Sequence, residues 1–284
     1  MYFKSKPMAH GVASGESKPH NRPVAPTPWQ QRIRRAEHLA AQHSFATEVL
    51  SFYIHVARFQ EGLYQEILRT FGKNPMSLSA PLEPVQLIAA FPNFLSVIEK
   101  NGTPHLTEIA HDLRSAPPTT WSHLLNACWA GAPPSHPEEF LALAFLQPYA
   151  ECARANSRLQ LAGYTHSLCP FCNRKPALGV LRQLGDGARR NLLCGFCLTE
   201  WEFRRILCPG CGQEDPAKLP VYTAETLPYI RVECCDACQT YMKSIDLTKN
   251  GLADPIVDEL ASVPLNLWAQ EHGYAKLYLN LLGM

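Results

Sequence analysis

Cys169-Pro170-Phe171-Cys172, Cys194-Gly195-Phe196-Cys197, Cys208-Pro209-Gly210-Cys211 and Cys235-Asp236-Ala237-Cys238 all fall within one stretch of 70 residues. Each Cys-x-x-Cys pair sets two sulfurs on one tight turn, and two such pairs supply the four thiolates of a tetrahedral metal site. Cys172 and Cys194 are separated by 21 residues and Cys211 and Cys235 by 23, room for a short β-hairpin that carries one turn back to the other. Only 10 residues separate Cys197 from Cys208. The simplest partition is therefore sequential. Site one takes Cys169, Cys172, Cys194 and Cys197; site two takes Cys208, Cys211, Cys235 and Cys238.

Two other uses of cysteine are weighed against this. A disulfide framework suits secreted chains smaller than this one, and no secretory signal is read here. A thioredoxin-type dithiol needs a βαβ setting and one pair, not a tandem. Cys128 and Cys152 lie in apolar, helix-like surroundings and read as inert buried thiols. Cys234 is next to a ligand but is expected to point elsewhere.

Outward from the cysteines, six short β-type runs surround the pairs: Ala177 to Leu181, Arg190 to Leu193, Trp201 to Ile206, Val221 to Thr223, Ile230 to Glu233 and Tyr241 to Asp246. Gly185-Asp186-Gly187 reads as a hairpin turn. Both halves repeat the order turn, strand, strand, turn, like an internal duplication with a weak sequence echo. Such ribbons bury little apolar surface, so a metal decides whether they fold. Four thiolates leave no open coordination position, which disfavours hydrolytic metal chemistry. Iron and zinc both accept this ligation, and spacing does not separate them. A glycine after the second cysteine would open room for N–H donors to sulfur. Gly212 follows Cys211, but Asn173 follows Cys172 and Gln239 follows Cys238.

Before the ribbons the pattern is helical. Pro28 sits at a first turn with Thr27 as its cap. Apolar residues from Val49 to Leu68 recur at three- and four-residue steps. Further helices are expected over 84–100, 105–114, 118–130 and 137–157. The histidines of this half, including His38, His43, His55 and His111, lack a tight ligand spacing. Helices return at 253–262 and 264–281. The expected fold class is multidomain α+β. It comprises a disordered tail at 1–27 and an all-α domain at 28–160 with its own core. Two tandem four-cysteine β modules follow at 163–206 and 207–250, then a helical tail at 251–284.

Composition narrows the function. The chain of 284 residues is 46% hydrophobic with a net charge of +1, so no global charge points to nucleic acid. No apolar run approaches the roughly 18 residues of a membrane span, and a cytoplasmic protein is expected. Residues 163–250 carry 11 Lys/Arg and 9 Asp/Glu. Two divalent ions with eight thiolates shift that stretch to a small negative charge. Attraction to phosphate would need a local patch, which Arg189-Arg190 and Arg204-Arg205 could supply on a small scale; paired arginines more often form a solvated edge, so nucleic-acid binding is disfavoured. It stays as the alternative reading, a zinc-ribbon adaptor for nucleic acid or for a transcription or translation machine.

The same stretch resembles the FdhE family of formate dehydrogenase accessory proteins. The motifs are Cys169-Pro170-Phe171-Cys172, Cys194 through Thr199-Glu200-Trp201, Arg205, Cys208-Pro209-Gly210-Cys211, and Glu233 with Cys235 running into Gln239-Thr240-Tyr241-Met242-Lys243. Asp258-Glu259-Leu260-Ala261-Ser262 and Gly273-Tyr274 also fit. The resemblance implies a helical domain beside two rubredoxin-like modules. It further implies a non-catalytic factor needed for active formate dehydrogenase, whose partner is the catalytic subunit of that enzyme.

Overall fold

A computed structural model describes residues 27–71, 85–132, 136–280 and 282–284. The expected tail at 1–27 lies outside the described residues except for Thr27. Six helices come first: α1 (Pro28–Gln42), α2 (Thr47–Phe71), α3 (Val85–Asn101), α4 (Pro104–Ser115), α5 (Pro118–Trp129) and α6 (Pro137–Ala155). Four of them begin on proline, whose fixed φ suits a first turn and whose missing N–H would have no helical partner. Thr27 caps α1: its Oγ1 accepts from the Gln30 N–H at 3.1 Å, and Gln30 Oε1 accepts from the Thr27 N–H at 3.2 Å. Nearly every residue of α6 between Leu141 and Ala153 is buried, on all sides of the helix, which makes it the central one.

The strands are β1 (Leu178–Leu184), β2 (Gly187–Leu193), β3 (Glu200–Glu202), β4 (Val221–Ala224), β5 (Leu227–Cys235), β6 (Thr240–Asp246) and β7 (Ala275–Lys276). Gly185 supplies the positive φ of +55° at the tip of the β1–β2 hairpin. The run expected to continue to Ile206 leaves the sheet after Glu202, where the chain crosses to the second cysteine unit. The two units do not stand apart as separate ribbons. They join in one sheet of order β3-β2-β1-β6-β5-β4, with β1 and β6 parallel and Gly179 opposite Ser244. A Cβ at position 179 would lie 2.1 Å from Ser244 Oγ, so glycine lets the two strands meet with the serine in this rotamer.

The tail packs back on the sheet. It contains α7 (Pro255–Ala261) and α8 (Val263–Glu271). Helix is expected to 281, but α8 ends at Glu271, just before Gly273 takes a φ of +83°. The Ala275 N–H then donates to the Gln239 carbonyl, and the Leu277 N–H to that of Tyr241, both at 2.9 Å, so β7 runs beside β6.

A buried ionic group fixes this tail. Lys243 of β6 and Glu259 of α7 are fully enclosed, with Nζ and Oε1 3.0 Å apart. Lys276 Nζ is 2.5 Å from the same oxygen, and Asn280 Nδ2 donates to Oε2 at 2.8 Å. Lys243 also donates to the Glu259 carbonyl and to Ser262 Oγ. Burial pushes the Lys243 ammonium down to about 8. Burial opposes the Glu259 carboxylate too, but the two lysines outweigh it and hold it at about 2.

Helices and sheet share their cores. One core joins Phe91, Phe94 and Phe145 of the helices to Cys194, Phe196 and Trp201. The other joins Ile33, Leu50 and Tyr53 to Val180, Ile230 and Ile245 of the sheet and Val257 and Leu260 of α7. The helical half therefore does not hold a core of its own. Amphipathic spacing identifies which helix face is buried, but not what buries it.

Candidate metal centres

Four backbone turns carry the eight ligand candidates. In three of them the first cysteine's N–H donates to a carbonyl five residues on. These bonds run from Cys169 to Arg174 at 2.8 Å, Cys194 to Thr199 at 3.0 Å and Cys208 to Gln213 at 2.9 Å. The N–H of the residue after the second cysteine returns to the first cysteine's carbonyl, from Asn173, Leu198 and Gly212. In the fourth turn Cys235 pairs with Thr240 across β5 and β6.

The residue after the second cysteine is left-handed every time: Asn173 at φ +58°, Leu198 at +56°, Gly212 at +79° and Gln239 at +52°. The absence of glycine at three of these positions therefore does not change the turn. It costs about 1–2 kcal/mol at each L-residue, less for Asn, which the surrounding structure must supply.

The turns bring Cys169, Cys172, Cys194 and Cys197 into one group and Cys208, Cys211, Cys235 and Cys238 into another, with all four sulfurs of each group within 4.8 Å of one another. In the first group Cys169–Cys197 is 3.5 Å, Cys172–Cys194 3.4 Å and Cys172–Cys197 3.6 Å. In the second, Cys208–Cys238 and Cys211–Cys235 are both 3.7 Å. A tetrahedron with metal–sulfur bonds of about 2.3 Å has edges of about 3.8 Å, so the spacing fits a four-thiolate ion. It is far beyond a disulfide bond of about 2.05 Å, and every cysteine is free. Either group could hold a metal ion, which would cross-link two turns and stabilise thiolates that burial disfavours, as at the fully enclosed Cys194.

The remaining cysteines stand outside both groups. Burial pushes the Cys128 thiol up to about 11 and the Cys234 thiol up to about 12, and raises Cys152. These thiols stay protonated at neutral pH and are poor ligands.

The two groups sit in different surroundings. Cys169, Cys194 and Cys197 are no more than 2% exposed, and Phe196 between them packs edge-on against Trp129 at 6.0 Å. The Arg174 guanidinium stacks on Phe196 at 3.9 Å and donates to the Cys128 carbonyl of α5. Gln147 of α6 donates to the Gly195 carbonyl at 3.0 Å. Trp201 Nε1 donates to the His166 carbonyl at 3.0 Å. Site two has only Cys208 and Cys235 buried; Cys211 is exposed and Cys238 half-buried. The tail touches it through Tyr274, whose hydroxyl donates to Asp236 at 2.6 Å.

Two threonines complete the sites, and sequence reading assigned them no role. Thr199 Oγ1 lies 3.1 Å from Cys197 Sγ, and Thr240 Oγ1 3.1 Å from Cys238 Sγ. The Gly210 N–H also donates to Cys208 Sγ at 3.3 Å. The shared Cys-x-Thr spacing in the two units was the available signal. Hydrogen bonds to sulfur stabilise the thiolate form.

The basic patch is largely neutralised. Arg189 lies 3.6 Å from Glu202, Arg190 2.5 Å from Glu233 and Arg204 2.8 Å from Glu214. Among the described residues no helix is long and apolar enough to cross a membrane.

The chain is similar to known proteins in sequence and in fold. Residues 168–205 match a family model described as "FdhE, central domain", and residues 206–282 one described as "FdhE, C-terminal domain". A curated FdhE homolog of Aquifex aeolicus is 28% identical over 255 residues, 84% of this chain and 89% of that protein. One of Haemophilus influenzae is 25% identical over 276 residues, 89% of this chain and 87% of that protein. The crystal structure of the FdhE protein from Pseudomonas aeruginosa has the same fold, with a TM-score of 0.63 at 24% identity over 89% of this chain and 95% of that one.

Proposed function

We propose that this chain, whose residues 168–282 match the FdhE central and C-terminal domain models and which is similar to curated FdhE homologs over most of its length, is a non-catalytic accessory factor for formate dehydrogenase, acting in the cytoplasm as a dedicated chaperone that binds the catalytic subunit. The observation that carries this reading is the pair of closed four-cysteine groups built into a sheet that shares its cores with the helices. Cys169, Cys172, Cys194 and Cys197 would hold one iron or zinc ion, and Cys208, Cys211, Cys235 and Cys238 the other. When bound, each ion supplies a four-sulfur cross-link, or a one-electron couple if it is iron. Four thiolates leave no position for a substrate at the metal. What remains for the chain to do is present a surface, and the sites hold that surface in shape.

The nucleic-acid alternative loses ground here, because three of the four paired arginines that would have served it, Arg189, Arg190 and Arg204, are engaged by Glu202, Glu233 and Glu214. Deletion of the gene should abolish formate oxidation while the catalytic subunit is still synthesised, and the subunit should copurify with the full chain. Normal formate oxidation in the deletion strain would refute the reading.

A further inference from the structure

A groove of about 450 Å³ lies on the sheet face between the two cysteine units. Its lining runs from Arg190 on β2 through Leu181 on β1, Met242 on β6 and Glu233 on β5 to Val221 on β4. It therefore crosses four strand spacings, about 19 Å, a length that takes about six residues of extended chain. Ile206 and Val221 rim it and are 50% and 53% exposed, so two large aliphatic side chains face solvent on the same groove.

Arg205 lines the same groove. Arg182, Arg189, Arg190, Arg204 and Arg231 on this part of the chain all have a carboxylate partner. Among the described residues Arg205 has none; its guanidinium makes one long contact, 3.5 Å to the Ala188 carbonyl. One exposed cation beside an aliphatic trough sets the chemistry of an occupant: apolar side chains with a carboxylate at one end. We propose that this groove binds an extended, aliphatic segment of the partner polypeptide and pairs one of its Asp or Glu side chains with Arg205. The proposal rests on the accessory-factor reading for the identity of that partner. It also gives site two a task. Cys208 and Cys235 form part of the groove wall, so the ion that would join them holds the linker carrying Arg205 and Ile206 in place.

The probe is an array of overlapping peptides, each about twelve residues long, covering the formate dehydrogenase catalytic subunit, challenged with the full metal-loaded chain. Peptides that bind should combine aliphatic residues with an acidic one. Arg205→Glu should weaken them about fivefold or more, Arg205→Lys should largely retain them, and a Glu→Lys change in the peptide should restore binding to Arg205→Glu. Ile206→Asp should weaken binding about tenfold or more by wetting the trough. Ile206 is half-exposed, so the variant should keep its metal content and melting temperature, which are measured alongside.

A silent array, or binding indifferent to both substitutions, overturns the proposal. So does a photo-cross-linker at position 206 that captures a second copy of this chain instead of the peptide. Copurification of the intact catalytic subunit is scored separately. If it persists beside a silent array, the groove is wrong and the accessory reading stands. If it fails while Arg205-dependent peptides bind, the groove stands and the accessory reading falls.

Discussion

The two cysteine groups have the same ligand chemistry and opposite surroundings. Site one is enclosed except at half-buried Cys172, with Trp129, Arg174 and Gln147 from or against the helices around it, and its other three cysteines belong to a core shared with Phe91 and Phe145. Site two lies near the surface, with Cys211 exposed and Tyr274 of the tail bonded to Asp236 beside it. Identical sulfur tetrads can therefore play unequal parts. An ion in the first supports a core that also serves the helices, whereas an ion in the second shapes a local surface.

The strongest test exchanges one ligand in each site. A structural four-cysteine ion contributes roughly 10–16 kcal/mol of apparent binding energy, against net domain stabilities of about 5–15 kcal/mol. Cys194→Ser should lower metal content from about two to about one per chain and remove much of the helical circular dichroism with it. Cys211→Ser should lose the same equivalent of metal and leave the helices folded. Equal loss of helical signal in both variants would end the distinction.

The next effect belongs to the tail beside site two. Replacing the buried carboxylate in Glu259→Gln leaves Lys243 and Lys276 without a counter-charge, at a cost of about 3–5 kcal/mol, read from urea unfolding at neutral pH. The sign with pH follows from Glu259 being held at about 2 in the fold. Its stabilisation is fully present above the unfolded carboxylate pKa of about 4.3 and is lost as pH falls toward about 2. The wild-type and variant curves should converge across that window. Parallel curves would mean that Glu259 does not hold the tail through its charge.

The smallest effects come from the left-handed residues. Gly212→Ala should cost about 1 kcal/mol. Gln239→Gly should change stability by less than about 1 kcal/mol, because relief at φ +52° is offset by loss of the 2.8 Å bond from Gln239 Nε2 to the Asp236 carbonyl. Both turns belong to site two, so neither change should alter site-one metal content.

Local patterns carried much of this architecture. The four Cys-x-x-Cys strings and the gaps between them indicated two hairpin-linked groups, and prolines marked the starts of α1, α4, α5 and α6. What they could not carry is pairing at long range. Nothing near Gly179 announces Ser244 as its parallel neighbour, and nothing near Ala275 announces Gln239. Backbone conformation at Leu198 and Gln239 was hidden for another reason: each is an unfavourable residue held in place by bonds made elsewhere in its turn. The resemblance motifs outside the cysteines find their physical basis only in three dimensions, where Lys243, Glu259 and Ser262 meet in one enclosed group.

The seam has a consequence for symmetry. In chain order the first unit contributes β1, β2 and β3 and the second β4, β5 and β6, yet the sheet reads β3-β2-β1-β6-β5-β4. The first strand of one unit thus meets the last strand of the other. This is a head-to-tail junction, not a two-fold one. A two-fold junction uses the same surface twice and closes, whereas a head-to-tail junction leaves one copy of each half-interface unused. Here the leftovers are β3 and β4, which are complementary in kind to each other. A row of molecules joined β3 to β4 would close into a ring or extend as a filament, depending on the rotation at each step. The chain counters this with a β3 of only three residues, bearing Glu200 and Glu202 engaged by Arg182 and Arg189. Short, charged edges of this sort resist strand addition. The repeated order of the two units thus leaves two free edges that match in kind, and the short, charged β3 is the one ill suited to adding a strand.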